Sequence, residues 1–358
     1  MNLNIFGAPG KYIQGAGAIA ELGGFLKPLG ARVLVTGGGT GLRITREART
    51  QSFAGSGIEQ IEEPFRGETS DGEITRIADA AKAAGCDILL ASGGGKVIDT
   101  VKAAAESLGI PAVIVPTIAS NDAPCSALAV IYNEDGTFSR LMPLIRNPAL
   151  VVADTEIIAR SPVRQLVSGM GDALATWFEA DACQKSGALN NFGALRSSAA
   201  LALARLCLDT LLEYGREAME SCKKKETGPA LEKIVEANIL LSGLGFESGG
   251  VAVAHALSES LTLIPSVHDR THGEAVAFGL LVHMILAGRP EAEFNEIKHF
   301  CTDVGLPVTP AQLGSTDADA LRAAAEDAAA PGKPSHNLRP GITGDEIFKA
   351  IMELEIRN

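Results

Sequence analysis

Through the first half of the chain, short runs of β-branched and aliphatic residues alternate with longer amphipathic runs rich in alanine. Arg32-Val33-Leu34-Val35-Thr36 reads as a strand followed by a glycine turn. Ser70-Asp71-Gly72-Glu73 has capping-box spacing and opens a helix predicted to reach about Ala84. Ile88-Leu89-Leu90-Ala91 is a continuous apolar run, the pattern of a strand covered on both faces. Gly93-Gly94-Gly95, a helical run from about Val97 to Leu108 and a further strand at Ala112-Val113-Ile114-Val115 follow it. Strand, helix and strand in repetition predict a parallel sheet with crossover helices. Asn133-Glu134-Asp135-Gly136 separates two β-type runs and predicts a hairpin turn.

After Val151-Val152-Ala153-Asp154 the strand pattern stops. From about Pro162 onward nearly every segment is helical in period, punctuated at Gly187, Gly215, Gly228, Gly249-Gly250, Pro265, Pro290 and Pro307. The Ala-rich segment from Leu321 to Ala330 reads as helix rather than linker. The fold expected is an α/β domain over residues 1–160, with a Rossmann-like parallel sheet, followed by an all-helical domain over residues 161–358.

Length agrees with two domains, since 358 residues exceed one ordinary core. Aromatics make up only 4% against 46% hydrophobic residues, so the cores must be built from Ala, Val, Leu and Ile. The net charge of −12 and the lack of any basic run argue against nucleic acid as a partner. No stretch reaches the roughly 18 apolar residues of a membrane span, and residues 1–11 lack the charged and apolar regions of a secretion signal. Six cysteines, scattered from Cys86 to Cys301 with no CxxC pair, read as reduced and mostly buried thiols. A cytoplasmic protein is expected.

Chemistry enters at the glycine turns. Ser92-Gly93-Gly94-Gly95-Lys96 lies between a predicted strand and a predicted helix. Glycine lets the backbone approach a pyrophosphate, and the helix N-terminus offers N–H groups and partial positive charge. Lys96 would add a full charge, and Asp99, one turn in, would fix the loop. A tight βα turn with no ligand has the same composition. In the second turn, Gly37-Gly38-Gly39-Thr40-Gly41, no acid stands where dinucleotide sites grip the adenosine ribose, and Arg43 and Arg46 lie just beyond. Those arginines would suit a 2′-phosphate or else are solvated helix residues. The segment Pro116 to Ser126 follows a strand directly, where ligands of parallel sheets bind.

In the helical half, Asp172 sits among small and apolar residues, where a carboxylate is costly to bury without a partner. His255 stands in another apolar helical run, and His268-Asp269-Arg270-Thr271-His272 leads into a third. One Asp and two His match the ligand set of catalytic zinc, with a coordination position left for substrate. Taken singly, His255 reads as a core histidine, Asp172 as a capping or paired acid, His272 as a helix cap and His268 as a loop residue. Only the grouping points to metal.

Gly10 to Gly15, Gly93 to Lys96, Pro116 to Ser126, Gly171 to Ala180, Gly245 to Gly250 and His272 to Gly279 together resemble the glycerol dehydrogenases, a branch of the iron-type (group III) alcohol dehydrogenases. The resemblance covers nearly the whole chain and implies a dehydroquinate synthase-like architecture. It implies that Asp172, His255 and His272 bind the metal and that Asp122 contacts a small polyol substrate. It also implies that Gly94, Gly95, Lys96, Thr117, Ser120, Ser126, Leu128 and Tyr132 line the NAD site. Iron-using relatives carry a further His four residues after the ligand Asp; Thr176 stands there, so zinc is expected. A homo-oligomer, up to an octamer, is implied as well.

This sequence departs from the pattern at three places. Gly38 replaces a usual Asp, which leaves NADP open. Arg270-Thr271 replaces a pair of aromatics, and Ser258-Glu259 replaces a His-Asn pair; both places border the expected substrate pocket. Arg270 there would pair with an anionic group or with solvent. The expected reaction is hydride transfer from glycerol to NAD(P), the proton leaving through water or His268. The alternatives are a related polyol or polyol-phosphate dehydrogenase, or a non-redox sugar-phosphate cyclase-like lyase, which would need several basic residues around a phosphate.

Overall fold

In the computed structural model, which describes residues 3–357, the chain forms two units. One comprises Gly7–Leu166 together with Glu220–Leu240. Its strands are β1 (Tyr12–Gly15), β2 (Arg32–Gly37), β3 (Glu59–Pro64), β4 (Ile88–Gly93), β5 (Ala112–Pro116), β6 (Leu128–Tyr132), β7 (Phe138–Pro143) and β8 (Leu150–Asp154). Between and after them run α1 (Leu22–Leu26), α2 (Gly39–Ser56), α3 (Asp71–Ala83), α4 (Gly95–Leu108) and α5 (Thr155–Ala159). Six strands form a parallel sheet in the order β1-β8-β5-β4-β2-β3. The other two, β6 and β7, pair antiparallel across the turn at Asn133–Gly136.

The apolar runs read from the sequence are the inner strands. β4 and β8 are buried at every position, as strands covered on both faces must be. Leu22, Leu26 and Phe53 of the helices pack on Val33, Val35, Ile88, Leu90, Val113 and Val152 of the sheet. The edge strand β3 is acidic, and Arg46, Arg49 and Arg76 bind its Glu62 and Glu63. Charge at an edge discourages pairing with another chain. At the start of α3, the Ser70 hydroxyl accepts the Glu73 N–H at 3.2 Å, as the spacing predicts. The box is not closed reciprocally, because the Glu73 carboxylate turns to Arg76 and the Arg66 N–H instead.

The second unit holds the residues up to Phe6, Val167–Met219 and the chain from Leu241 onward. The helices that follow β8 and α5 are α6 (Val163–Ser186), α7 (Ser198–Lys224), α8 (Pro229–Glu236), α9 (Ser242–Gly249), α10 (Val253–Leu261), α11 (His272–Leu286), α12 (Glu291–Val304), α13 (Pro310–Leu313), α14 (Ala318–Ala328) and α15 (Gly344–Ile356). Of these, α8 lies in the α/β unit, where Glu232 accepts the Gln14 amide at 2.7 Å and the Thr155 hydroxyl at 2.5 Å. The helix α11 is apolar on all sides and buried from Gly273 to Met284, the pattern of a central helix. It packs against α10, α12 and α15. Thr271 and Glu274 cap its N-terminus reciprocally, which places His272 at the first helical position.

The fold class is therefore the one expected, a parallel sheet followed by helices. All six cysteines are free, and five of them are buried. Among the described residues, no single helix is long and apolar enough to cross a membrane.

Candidate active site

Within the α/β unit, β2 leads through α2 to its neighbour β3, whereas β4 leads through α4 to β5 on the opposite side. The strand order thus reverses between β2 and β4, and open α/β sheets bind ligands outside the carboxyl ends of strands at such a point. Both glycine turns stand there. Side chains at Gly37 and Gly41 would place a Cβ 2.4 and 2.3 Å from the Ser92 carbonyl oxygen, so glycine is what lets the turns nest. The N-caps of α2 and α4 are Gly38 and Gly94, and neither supplies a side-chain hydrogen bond. Two helix N-termini therefore offer backbone N–H groups and partial positive charge to an anion.

The residues expected around a dinucleotide have differing surroundings and partners. Gly94 and Gly95 abut Ile118 and Asn121 of the loop after β5. The Thr117 N–H donates to the Gly93 carbonyl at 3.0 Å, tying that loop to the turn. Lys96 is half-exposed and paired with Glu68. Asp99 is buried; it meets Lys102 Nζ at 2.9 Å and accepts the Val130 N–H at 3.0 Å, which secures β6. Asp122 and Ser126 are buried on either side of the short helical turn Ala123–Cys125, and Ser120, Leu128 and Tyr132 are half-buried. Arg43 is exposed, and Arg46 is held 2.5 Å from Glu62.

Sequence reasoning passed over Lys102. Its ammonium, 2% exposed, donates to the carbonyls of Ala123 (2.8 Å) and Leu128 as well as meeting Asp99. A lysine on the buried face of an Ala-rich helix is the signal that would have found it.

Within the helical unit, α6, α10 and α11 each deliver one side chain to a common point. Asp172 Oδ1 lies 3.2 Å from His272 Nε2 and 3.4 Å from His255 Nε2, and the three donor atoms all fall within 4.8 Å of one another. A tetrahedral ion with bonds of about 2.0–2.2 Å separates its donors by roughly 3.3–3.6 Å. The spacing and the mixture of nitrogen and oxygen donors fit a divalent cation. The Asp172 side chain is fully buried, that of His255 is 14% exposed and that of His272 is 44% exposed, so one flank is open.

Electrostatics point the same way. Burial alone would raise the Asp172 pKa, but the charge of His272 and hydrogen bonds from both histidines outweigh it and hold the carboxyl well below its ordinary range. Burial would lower the pKa of His255, yet the carboxylates of Glu179 and Asp172 overcome it and raise it well above the ordinary histidine value.

Around the triad, Thr176 is buried one turn beyond Asp172, with its hydroxyl 2.9 Å from that of Ser242. The Ser258 hydroxyl donates to the His255 carbonyl, and Glu259 faces Lys333 at 3.4 Å. Arg270 Nε donates to the Leu313 carbonyl at 2.9 Å, and His268 Nε2 lies 2.8 Å from the Thr262 carbonyl. Sequence reasoning missed Glu179, fully buried on α6 against His255. Its signal is the one used for Asp172, an acid in an apolar helical run.

Known proteins resemble this chain over nearly its whole length. Residues 9–155 match the family model for iron-containing alcohol dehydrogenase. The chain is 48% identical over 350 residues to a glycerol dehydrogenase of Escherichia coli O6:H1, covering 97% of this chain and 95% of that protein. It is 47% identical over 347 residues to a glycerol dehydrogenase of Pseudomonas putida, covering 96% and 95% of the two chains. Among solved structures, a probable glycerol dehydrogenase from Sinorhizobium meliloti 1021 superposes with a TM-score of 0.94 at 41% identity, over 99% of each chain. The chain belongs to the glycerol dehydrogenase branch of the iron-containing alcohol dehydrogenase family and is an alcohol dehydrogenase.

Proposed function

We propose that this chain oxidises glycerol to dihydroxyacetone with NAD as hydride acceptor, using zinc held by Asp172, His255 and His272. Family membership carries the reaction class, NAD-dependent oxidation of a polyol. The observation that supports the metal is the convergence of one buried carboxylate and two imidazoles, with Asp172 Oδ1 3.2 and 3.4 Å from the two Nε2 atoms and all three donors within 4.8 Å. Thr176, turned to Ser242, adds no fourth nitrogen, which favours zinc over iron.

When bound, the ion supplies Lewis acidity that lowers the pKa of an alcohol hydroxyl toward neutrality. The chain's own residues do the rest. The open flank at His272 admits the polyol; the family resemblance assigns Asp122 a contact with a substrate hydroxyl, which would favour vicinal diols over simple alcohols. The N-termini of α2 and α4, with Gly94, Gly95, Lys96, Thr117, Ser120 and Ser126, bind the dinucleotide and hold its nicotinamide for hydride transfer. The proton leaves through water or His268. NADP is admitted as well as NAD, because Gly38 brings no acid to repel a 2′-phosphate and Arg43 stands exposed nearby.

The enzyme acts in the cytoplasm as a homo-oligomer, up to an octamer. Exposed apolar side chains at Leu3, Ile5, Phe6 and Leu189 suit contacts between copies. Initial rates with glycerol, propanediols and polyol phosphates, each with NAD and NADP, test the reading. Glycerol or a propanediol with NAD is expected to give the highest kcat/KM; a polyol phosphate giving it would change the substrate class.

A further inference from the structure

We propose that Glu179 is a positioning residue that fixes the tautomer and orientation of His255 while capping the helix that carries it. The inference rests on the metal reading above. Glu179 stands seven residues after Asp172 on α6, two turns along the same face, and its side chain is fully buried. One of its oxygens lies 2.5 Å from His255 Nδ1. The other accepts the backbone N–H of Ala252 at 2.7 Å and that of His255 at 3.2 Å.

Those two N–H groups belong to the N-cap and third residues of α10, and α10 has no side-chain cap of its own. Glu179 thus does from another helix what a capping Ser or Asp does locally, and it sets a negative charge at the positive end of α10. Because an ionised carboxylate only accepts, the ring nitrogen facing it must carry the proton. Nδ1–H therefore points to Glu179, and Nε2, on the side of Asp172 Oδ1, is the nitrogen whose lone pair a cation would take. Two backbone N–H groups already donate to this carboxylate, which suits it to act as an acceptor. One helix supplies both an ion ligand and the group that aims the second ligand.

The test is Glu179→Gln, with zinc alone as the probe. The glutamine oxygen can still accept from the α10 backbone, which keeps the cap. Its amide then donates to Nδ1, which moves the ring proton to Nε2 and blocks that lone pair. Zinc affinity, measured by competition with a chromophoric chelator, is expected to fall about 10- to 100-fold, with far-UV circular dichroism and melting close to wild type. Wild-type protein labelled with 15N-histidine and loaded with zinc gives a second reading that no folding defect can obscure. Its His255 signals are expected to show a protonated Nδ1 and a zinc-bound Nε2. Unchanged zinc affinity in a folded Glu179→Gln protein, or zinc on Nδ1 in the wild type, overturns the proposal. Failure of the wild type to bind zinc at all sinks the metal reading instead, before Glu179 is at issue.

Discussion

Gly171 and Gly273 pack against each other so closely that a Cβ on Gly171 would lie 2.3 Å from the Gly273 carbonyl oxygen. Each is the chain neighbour of a triad residue, Asp172 or His272. The approach of α6 to the first turn of α11 is what brings Asp172 Oδ1 to 3.2 Å from His272 Nε2. A Cβ on Gly273 would fall 1.7 Å from the Ser168 carbonyl oxygen, where backbone must move to make room.

Gly273→Ala should therefore spread α6 from α11. Overpacking of this kind costs about 1–3 kcal/mol, and more where backbone is the obstacle. Thermal melting should show the loss of stability, and a zinc titration should show weaker binding than in wild type. Unchanged melting and zinc affinity would mean that the two helices do not need this contact.

Burial lowers the pKa of His283, on α11, to about 4 from an ordinary 6.5. The sign follows from proton uptake. Between those values the unfolded chain binds a proton that the folded chain does not, so stability falls as pH drops through the window and is independent of this group above it. That difference corresponds to roughly 3 kcal/mol at the acid end. Denaturant unfolding from pH 7 to pH 4 should show His283→Leu losing less stability than wild type. Parallel losses would contradict a neutral buried imidazole.

At Gly38 the position a Cβ would take has no neighbour within 4 Å, so Gly38→Asp should fold normally. An acid at the end of β2 would accept from the adenosine ribose and repel a 2′-phosphate. The ratio of kcat/KM for NAD to that for NADP should rise by about tenfold or more, since like charges brought together cost several kcal/mol. An unchanged ratio would place the ribose elsewhere.

Lys102→Met strips the buried Asp99 of its partner and releases the carbonyls of Ala123 and Leu128. Breaking a buried ion pair from one side costs about 3–5 kcal/mol. A lower melting temperature and weaker NADH binding, read by cofactor fluorescence, should go together. Full cofactor affinity would show that the Asp122–Leu128 loop holds its shape without this anchor.

The sheet is largely legible in the sequence because its inner strands are continuous apolar runs and glycine punctuates their ends. The two edge strands are harder to read. Tyr12–Gly15 is short, and Glu59–Pro64 carries three glutamates, so neither has the period of a buried strand. Glu220–Leu240 has helical period like its neighbours, and tertiary contacts attach it to the α/β unit, among them those of Glu232 with Gln14 and Thr155 and of Asn238 with the Ala119 carbonyl. In the helical unit, residue type and apolar surroundings single out Asp172, His255 and His272, but period says nothing of which turns face each other across 83 and 17 residues of chain. Glu179 and Lys102 carry the same local signal; the partners of Glu179 and the carbonyls of Ala123 and Leu128 that receive Lys102 are supplied by other elements. Asp99 draws notice as a loop-fixing acid; its i,i+3 spacing to Lys102 on one helix is legible, whereas its contact with the Val130 N–H is visible only in three dimensions.

The most direct test of the account is removal and return of the ion. Protein stripped by a chelator should lose glycerol-dependent formation of NADH and regain it with about one equivalent of zinc per chain, whereas Asp172→Asn should neither bind zinc nor respond to it. Full turnover in metal-free protein would contradict the central claim.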